Sequence, residues 1–337
     1  MPLTSDITIN YSRFDPNNTA EDTKKYSDLL EKMTTETPNW WVVGAPRFRE
    51  MMEAGEIGGL KPTRLPGAQE IKIPSREPGR DIPVRVYKPD NGEPSKGILL
   101  HAHGGGYCLG SHDGADELLK FYANTCQLTA MTVGYRLAPE HPFPAGREDC
   151  IDVVEHLVDH GEAEHGVKLL FLAGESAGAY LMVLAAFSLI RSRPAHVLKG
   201  LVLPYGQYTV AMGLPSMVGF DRQILINHEI IGRFVDAFTP GMTAEERRDP
   251  LASPLFDDLR ALAAAAPGGR LPPALFLCGT NDPLLDDTLL MGVKWLTSGS
   301  EAVIKIFPGA PHVYNGGQID IAKESFGYEA EFILGKM

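Results

Sequence analysis

Leu169-Leu170-Phe171-Leu172-Ala173-Gly174-Glu175-Ser176-Ala177-Gly178 is an apolar run that ends in a G-x-S-x-G pentapeptide. The apolar run reads as a buried strand, and residues 179–190, which follow, read as a buried helix. A strand that turns into a helix through two glycines makes a sharp elbow. The serine at its apex is held with its hydroxyl exposed above the sheet. It also stands at a helix N-terminus, where free N–H groups and the dipole favour developing negative charge. Alone, the pentapeptide fits an ordinary Gly/Ser turn; the flanking strand and helix decide for a nucleophile at Ser176.

A serine hydroxyl needs a base, a group that orients the base, and donors for the oxyanion. In hydrolases built on such an elbow the partners follow in the order Ser, Asp or Glu, His. Only His196, His228 and His312 lie beyond Ser176. His196 falls in a surface loop and His228 in an amphipathic stretch. His312 ends Pro308-Gly309-Ala310-Pro311-His312, a loop after an apolar strand. Loops at strand ends are where bases of this kind sit. Asp282 follows the apolar strand 274–278, in Thr280-Asn281-Asp282-Pro283-Leu284. Asp-Pro is also a good helix start, and Asp286 and Asp287 are rivals, but both fall in a helix's first turn. Ser176, Asp282 and His312 are the set that fits the order. His103-Gly104-Gly105-Gly106 follows the strand 97–101. With the N–H of Ala177, the residue after the nucleophile, Gly104, Gly105 and Gly106 are the expected oxyanion donors.

At this point the chain resembles the hormone-sensitive-lipase-like branch of the α/β-hydrolases. The similar segments are His103 to Gly106, Gly110-Ser111-His112-Asp113, the run Tyr135 to Ala145, and the Ser176 pentapeptide. Later come Ser253-Pro254-Leu255, Asp282-Pro283-Leu284 and Gly309 to His312. They stand in the family's order. The resemblance implies an α/β-hydrolase fold: a mostly parallel eight-stranded sheet flanked by helices, under a helical cap. It also implies a serine esterase without cofactor, with Ser176, Asp282 and His312 as triad. Glu175 stands where the family often has Asp or Thr, Tyr107 where Trp is frequent, Leu285 where Arg is common, and Val313-Tyr314 where Gly-Phe is common.

The 337 residues carry 31 basic and 43 acidic side chains, a net charge of −12. Such a balance argues against nucleic-acid binding and against attraction to anionic membranes. No secretory signal is read at the N-terminus, and no stretch is long and apolar enough to span a bilayer. Cys108, Cys126, Cys150 and Cys278 are scattered singly, which suits reduced core thiols in a cytoplasmic protein. His101 and His103 share a strand face, but no third ligand stands near, so no metal site is expected.

Strand-like runs recur at 70–73, 82–87, 97–101, 131–135, 169–173, 200–203, 274–278 and 303–307, with helical patterns between most of them. Two segments fall outside this alternation, 1–55 and 205–250. In the family such segments form a cap over the site, which divides the chain into cap 1–55, core 56–204, cap 205–250 and core 251–337. Residues 1–55 also fit an arm packed outside the core. Trp40 and Trp41 either line the substrate cleft or pin the cap. Tyr107 and Phe220 are placed with the lining, and Met212, Leu214, Met217 and Ile224 with Phe220 in an opposing wall. The expected activity is hydrolysis of small esters of short-to-medium acyl groups through an acyl-enzyme. A lactonase, thioesterase or acyltransferase would use the same triad, and a non-catalytic ligand receptor would lack part of it. The oligomeric state stays open, a homodimer included.

Overall fold

A computed structural model describes residues 8–58 and 61–337. Residues 1–7, which begin the expected N-terminal cap segment, and 59–60 lie outside the described residues. Helices α1 (Glu21–Glu36), α2 (Trp40–Val43) and α3 (Ala45–Ala54) come first. Then follow β1 (Gln69–Pro74), β2 (Asp81–Tyr87), β3 (Ile98–Ala102), α4 (Asp116–Cys126), β4 (Thr129–Val133) and α5 (Ala145–His165). Next are β5 (Leu169–Gly174), α6 (Ala177–Ser192), β6 (Gly200–Pro204), α7 (Pro215–Val218) and α8 (His228–Phe238). The chain closes with α9 (Leu259–Ala265), β7 (Ala274–Asn281), α10 (Leu285–Thr297), β8 (Ala302–Pro311) and α11 (Asp320–Lys336).

The eight strands form one sheet in the order β1-β2-β4-β3-β5-β6-β7-β8. β1 pairs with β2, and β2 with β4, in antiparallel fashion; every other pairing is parallel. Strands buried on both faces must be apolar throughout, and β3, β4 and β6 are buried at every position. The pleat divides them between two cores. Leu100, Leu172, Leu203 and Phe276 face α5, α6 and α10, while Leu99, Phe171, Val202 and Leu277 face α4 and α11. The strand expected at 131–135 sits two residues earlier. Pairing with β3 runs only from Thr129 to Thr132, and Gly134 turns its N–H to the Pro83 carbonyl at 2.8 Å.

The order of strands positions the site. After β3 the chain crosses to β4 on one side, then returns to β5 on the other side of β3. A reversal of this kind leaves a crevice at the carboxyl ends of the two strands. The glycine loop follows β3 and Ser176 follows β5, so both lie at that crevice.

The N-terminal segment and residues 205–250 meet above this end of the sheet. Arg222 pairs with Glu31 at 2.6 Å, and the Leu225 N–H donates to Thr34 Oγ1 at 2.9 Å. Trp40 stacks on Phe234 of α8 with ring centroids 4.8 Å apart. Thr19 packs on Gly309, in the strand that leads to His312.

Candidate active site

Ser176 has φ 55° and ψ −120° between β5 and α6. A side chain in that region is strained by on the order of 1–3 kcal/mol, and it persists only where the surroundings over-determine it. Here they do. A Cβ on Gly174 would stand 2.6 Å from the Gly178 backbone, and one on Gly178 would stand 1.9 Å from the Ala102 carbonyl oxygen. The Ser176 N–H donates to the Pro204 carbonyl at the end of β6, 3.1 Å away.

His312 Nε2 lies 3.0 Å from Ser176 Oγ, and Nδ1 lies 2.8 Å from Asp282 Oδ2. A proton on Nδ1 donates to the carboxylate and leaves Nε2 to accept from the hydroxyl. The Asp282 oxygen Oδ1 accepts the Leu284 N–H at 2.9 Å. Asp282 and His312 are both buried. Their two loops are tied directly, since the Gly309 N–H donates to Thr280 Oγ1 at 2.7 Å. The Tyr205 ring stands edge-on to the imidazole, 4.7 Å between centroids. The rivals face elsewhere. Asp286 accepts from the N–H and hydroxyl of Ser216, and Asp287 from the N–H groups of Tyr208 and Thr209.

The glycine loop departs from its expected division of labour. The Gly104 N–H donates to Glu175 Oε1 at 2.7 Å, so it is not free for an oxyanion. Among the described residues no acceptor takes the N–H groups of Gly105, Gly106 or Ala177. Larger residues cannot replace the two glycines. A Cβ on Gly105 would lie 2.3 Å from the Leu109 carbonyl oxygen, and one on Gly106 2.4 Å from the Phe234 ring. The loop is braced from outside. Tyr135 stacks on His103 at 4.4 Å and donates its hydroxyl proton to the His103 carbonyl at 2.7 Å. Burial pushes the His103 imidazole down to about 4, against the pull of its bond to the Gly104 carbonyl. It is therefore neutral, a donor through Nδ1. The sequence pointed to Tyr135 and Glu175 only as family signature and departure; neither carried a role.

A cavity of about 1190 Å³ opens over Ser176. Trp40 and Trp41 line it, with Phe48, Met52, Leu225, Ile226, Ile230 and Phe234. Tyr107 and Phe220 do not. Tyr107 has φ 67° and turns its ring into the core, stacked on Phe238 at 3.9 Å with its hydroxyl on Gln207. Met217 and Ile224 are buried, so the second wall comes from residues 225–234 and not from 212–224. Arg49 and Arg64 reach the cavity but are already engaged. Arg49 bonds to Glu140 and the Cys108 carbonyl, and Arg64 to Glu53 and Asp113. Among the described residues no group of three or more His, Cys, Asp or Glu is placed to hold a metal, and no helix is long and apolar enough to cross a membrane.

The profile of the α/β hydrolase fold family matches residues 99–315, so the chain belongs to that family. An ethyl acetate hydrolase of Pseudomonas putida is 28% identical over 246 residues, covering 72% of this chain and 74% of that one. A hyperthermophilic esterase of the archaeon Pyrobaculum calidifontis is 27% identical, with a TM-score of 0.79 over 92% of this chain and 96% of that one. A hormone-sensitive lipase from a metagenome library shares the fold, with a TM-score of 0.77 at 23% identity over 95% and 99% of the two chains.

Proposed function

We propose that this member of the α/β-hydrolase fold family hydrolyses carboxylic esters through an acyl-serine. The observation that carries the reading is the continuous chain from Ser176 through His312 to Asp282, at 3.0 and 2.8 Å. Uncommitted N–H groups on both sides of Ser176 support it. Ser176 attacks the ester carbonyl while His312 Nε2 takes its proton. Asp282 holds the imidazole and stabilises its charged form. The carbonyl oxygen, now an oxyanion, is received by the N–H groups of Gly105, Gly106 and Ala177. His312 returns the proton to the departing alcohol. Water then attacks the acyl-serine with His312 as base, and the acid leaves.

The segments 8–55 and 205–250 act as the cap in this reading, with Trp40 and Phe234 as their seam. The cavity of about 1190 Å³ exceeds the roughly 300–1,000 Å³ common for small-molecule sites, so it has room for medium acyl chains as well as short ones. Both wall arginines are neutralised by carboxylates, which suits uncharged esters. The four cysteines are buried and unpaired, in keeping with a cytoplasmic enzyme. Cys108, next to the glycine loop, is buried, and that burial pushes its thiol up to about 12.

The test is labelling by a fluorophosphonate together with turnover of p-nitrophenyl esters of rising chain length. Ser176 should be the labelled residue, and labelling should abolish turnover. Full ester turnover in a Ser176→Ala protein would overturn the reading. Product analysis with added alcohols checks that water is the acyl acceptor.

A further inference from the structure

Glu175 touches the nucleophile's neighbours but takes no part in the proton transfers above. Its carboxylate bridges the ends of β3 and β5. Oε1 accepts the Gly104 N–H at 2.7 Å, and Oε2 lies 2.5 Å from His101 Nε2. His101 Nδ1 in turn lies 3.0 Å from Thr132 Oγ1 in β4. With the proton on Nε2, the imidazole donates to Glu175 and accepts from the Thr132 hydroxyl. His101 and Thr132 are both fully enclosed, so the carboxylate's far anchor cannot drift. The Glu175 carbonyl also accepts the Gly178 N–H at 2.8 Å, which holds the residue on the elbow.

The consequence falls on the glycine loop. Three consecutive glycines have the largest backbone freedom a chain can have. An oxyanion hole needs the opposite, donors fixed before the charge appears. Glu175 supplies a fixed acceptor for the first N–H of the run. A peptide N–H committed to that carboxylate cannot swing toward the cleft, while the next two, of Gly105 and Gly106, have no acceptor among the described residues. A carboxylate this close to a developing oxyanion would oppose it if unpaired. Burial works against the charged form, yet the His101 contact and the Gly104 N–H prevail and hold the carboxyl below its ordinary range.

Resting on the esterase reading, we propose that Glu175 is the positioning residue of the oxyanion hole. In this role it anchors Gly104 to His101, so that the Gly105 and Gly106 N–H groups face the cleft. The test is Glu175→Ala in the full chain, read by steady-state kinetics and by the affinity of an alkylboronic acid, which forms a tetrahedral adduct on the serine. kcat should fall by about 10²–10³, the range for loss of an oxyanion donor, with KM changed less than about threefold. Boronate affinity should weaken in proportion to kcat/KM. Glu175→Gln keeps an acceptor for Gly104 and should recover activity to within about tenfold of the parent, on the order of a single weakened hydrogen bond. If Glu175→Ala does not fold, Glu175→Met, of similar length but without an acceptor, takes its place. The proposal is overturned by a folded Ala or Met variant with kcat within threefold of the parent, by lost kcat with unchanged boronate affinity, or by a Gln variant as slow as Ala. Fluorophosphonate labelling of the parent separates the two readings. A parent that labels at Ser176 with an indifferent Glu175→Ala overturns only the positioning role, whereas a parent that does not label overturns the esterase reading beneath it.

Discussion

The carboxyl edge of the sheet and the two segments above it solve different problems. At the sheet edge each functional residue follows a strand held in register by its neighbours, on both sides for β3, β5 and β7 and by β7 alone for β8. Asp282 leaves β7 and His312 leaves β8 where Asn281 still pairs with Pro311. Pleat and register therefore fix the direction of each side chain to within one residue. In the overlying segments nothing so regular applies. Their contacts join residues far apart in the chain, such as Trp40 with Phe234 and Glu31 with Arg222. The sheet edge supplies chemistry that tolerates no displacement. The segments above supply shape, which packing can supply in many ways.

The largest effects should therefore come from the sheet edge. Ser176→Ala and His312→Ala should each lower kcat by roughly 10⁴- to 10⁶-fold, and Asp282→Asn by about 10⁴, with the protein still folded by circular dichroism. The double variants should be no slower than the worse single, because the residues act as one unit. Asp286→Asn should be mild, since Asp286 is engaged with Ser216. An inactive Asp286→Asn beside an active Asp282→Asn would break the contrast at its strongest point.

In the overlying segments the two tryptophans should part company. Trp40 is 7% exposed and sandwiched against Phe234, so Trp40→Ala should cost about 3–5 kcal/mol of stability, as truncations of large buried aromatics do. Trp41 is less buried, with the Arg233 guanidinium 5.6 Å from its ring. Trp41→Ala should leave stability nearly intact and shift the ester chain-length preference by about tenfold, the low end of what one methylene in an apolar pocket is worth. Phe220→Ala should leave the preference flat, since Phe220 is not on the wall. A Phe220 variant that shifts the profile more than Trp41→Ala would show that the wall has been drawn in the wrong place.

The same contrast governs what the sequence discloses. Strands buried on both faces, such as β3, β4 and β6, announce themselves as apolar runs, and the half-exposed β2 as an alternating one; all eight strands overlap the expected stretches. The elbow is legible because only glycine tolerates contacts as close as those at Gly174 and Gly178. The role of Gly104 is not, because it depends on Glu175, 71 residues away. The second wall is hidden from the sequence for a similar reason. Met217 and Ile224 have the right chemistry for a pocket, but the turn around them sends them inward and leaves Ile226, Ile230 and Phe234 to face the cavity. Helix α11 left no usable pattern. Its inward stripe runs Ala322, Ser325, Glu329, Phe332, Ile333, and two polar residues erase the apolar period. Those two take partners from elsewhere in the fold: Tyr122 donates to Glu329 at 2.7 Å, and Tyr314 meets Ser325 at 3.0 Å, while Ser325 itself donates to Glu329 at 3.4 Å.

The smallest effect on turnover concerns the stem that joins the regions. Asp287 of α10 is fully buried and accepts the N–H groups of Tyr208 and Thr209 at 2.6 and 3.0 Å, where the chain leaves β6 for the second overlying segment. Among the described residues its other oxygen has no partner. Burial raises its carboxyl from 3.8 to about 7, despite the two N–H donors. Between those values the folded protein keeps a proton that the unfolded chain has released. Stability from this group is thus present below about pH 4, falls as pH rises toward 7, and levels off above. Each unit crossed costs at most about 1.4 kcal/mol. Glu329, raised to about 7 chiefly by burial, adds a slope of the same sign. Asp287→Asn mimics the protonated acid and cannot ionise. Urea midpoints between pH 5 and 8 should therefore fall less steeply in the variant. The variant should match the parent only at or below about pH 4 and exceed it by a margin that grows from pH 5 to pH 8, with kcat nearly unchanged. An equal slope in both proteins would mean that Asp287 is charged across the whole range, its orphan oxygen held by water, and that the stem is no weaker at high pH than the sheet it grows from.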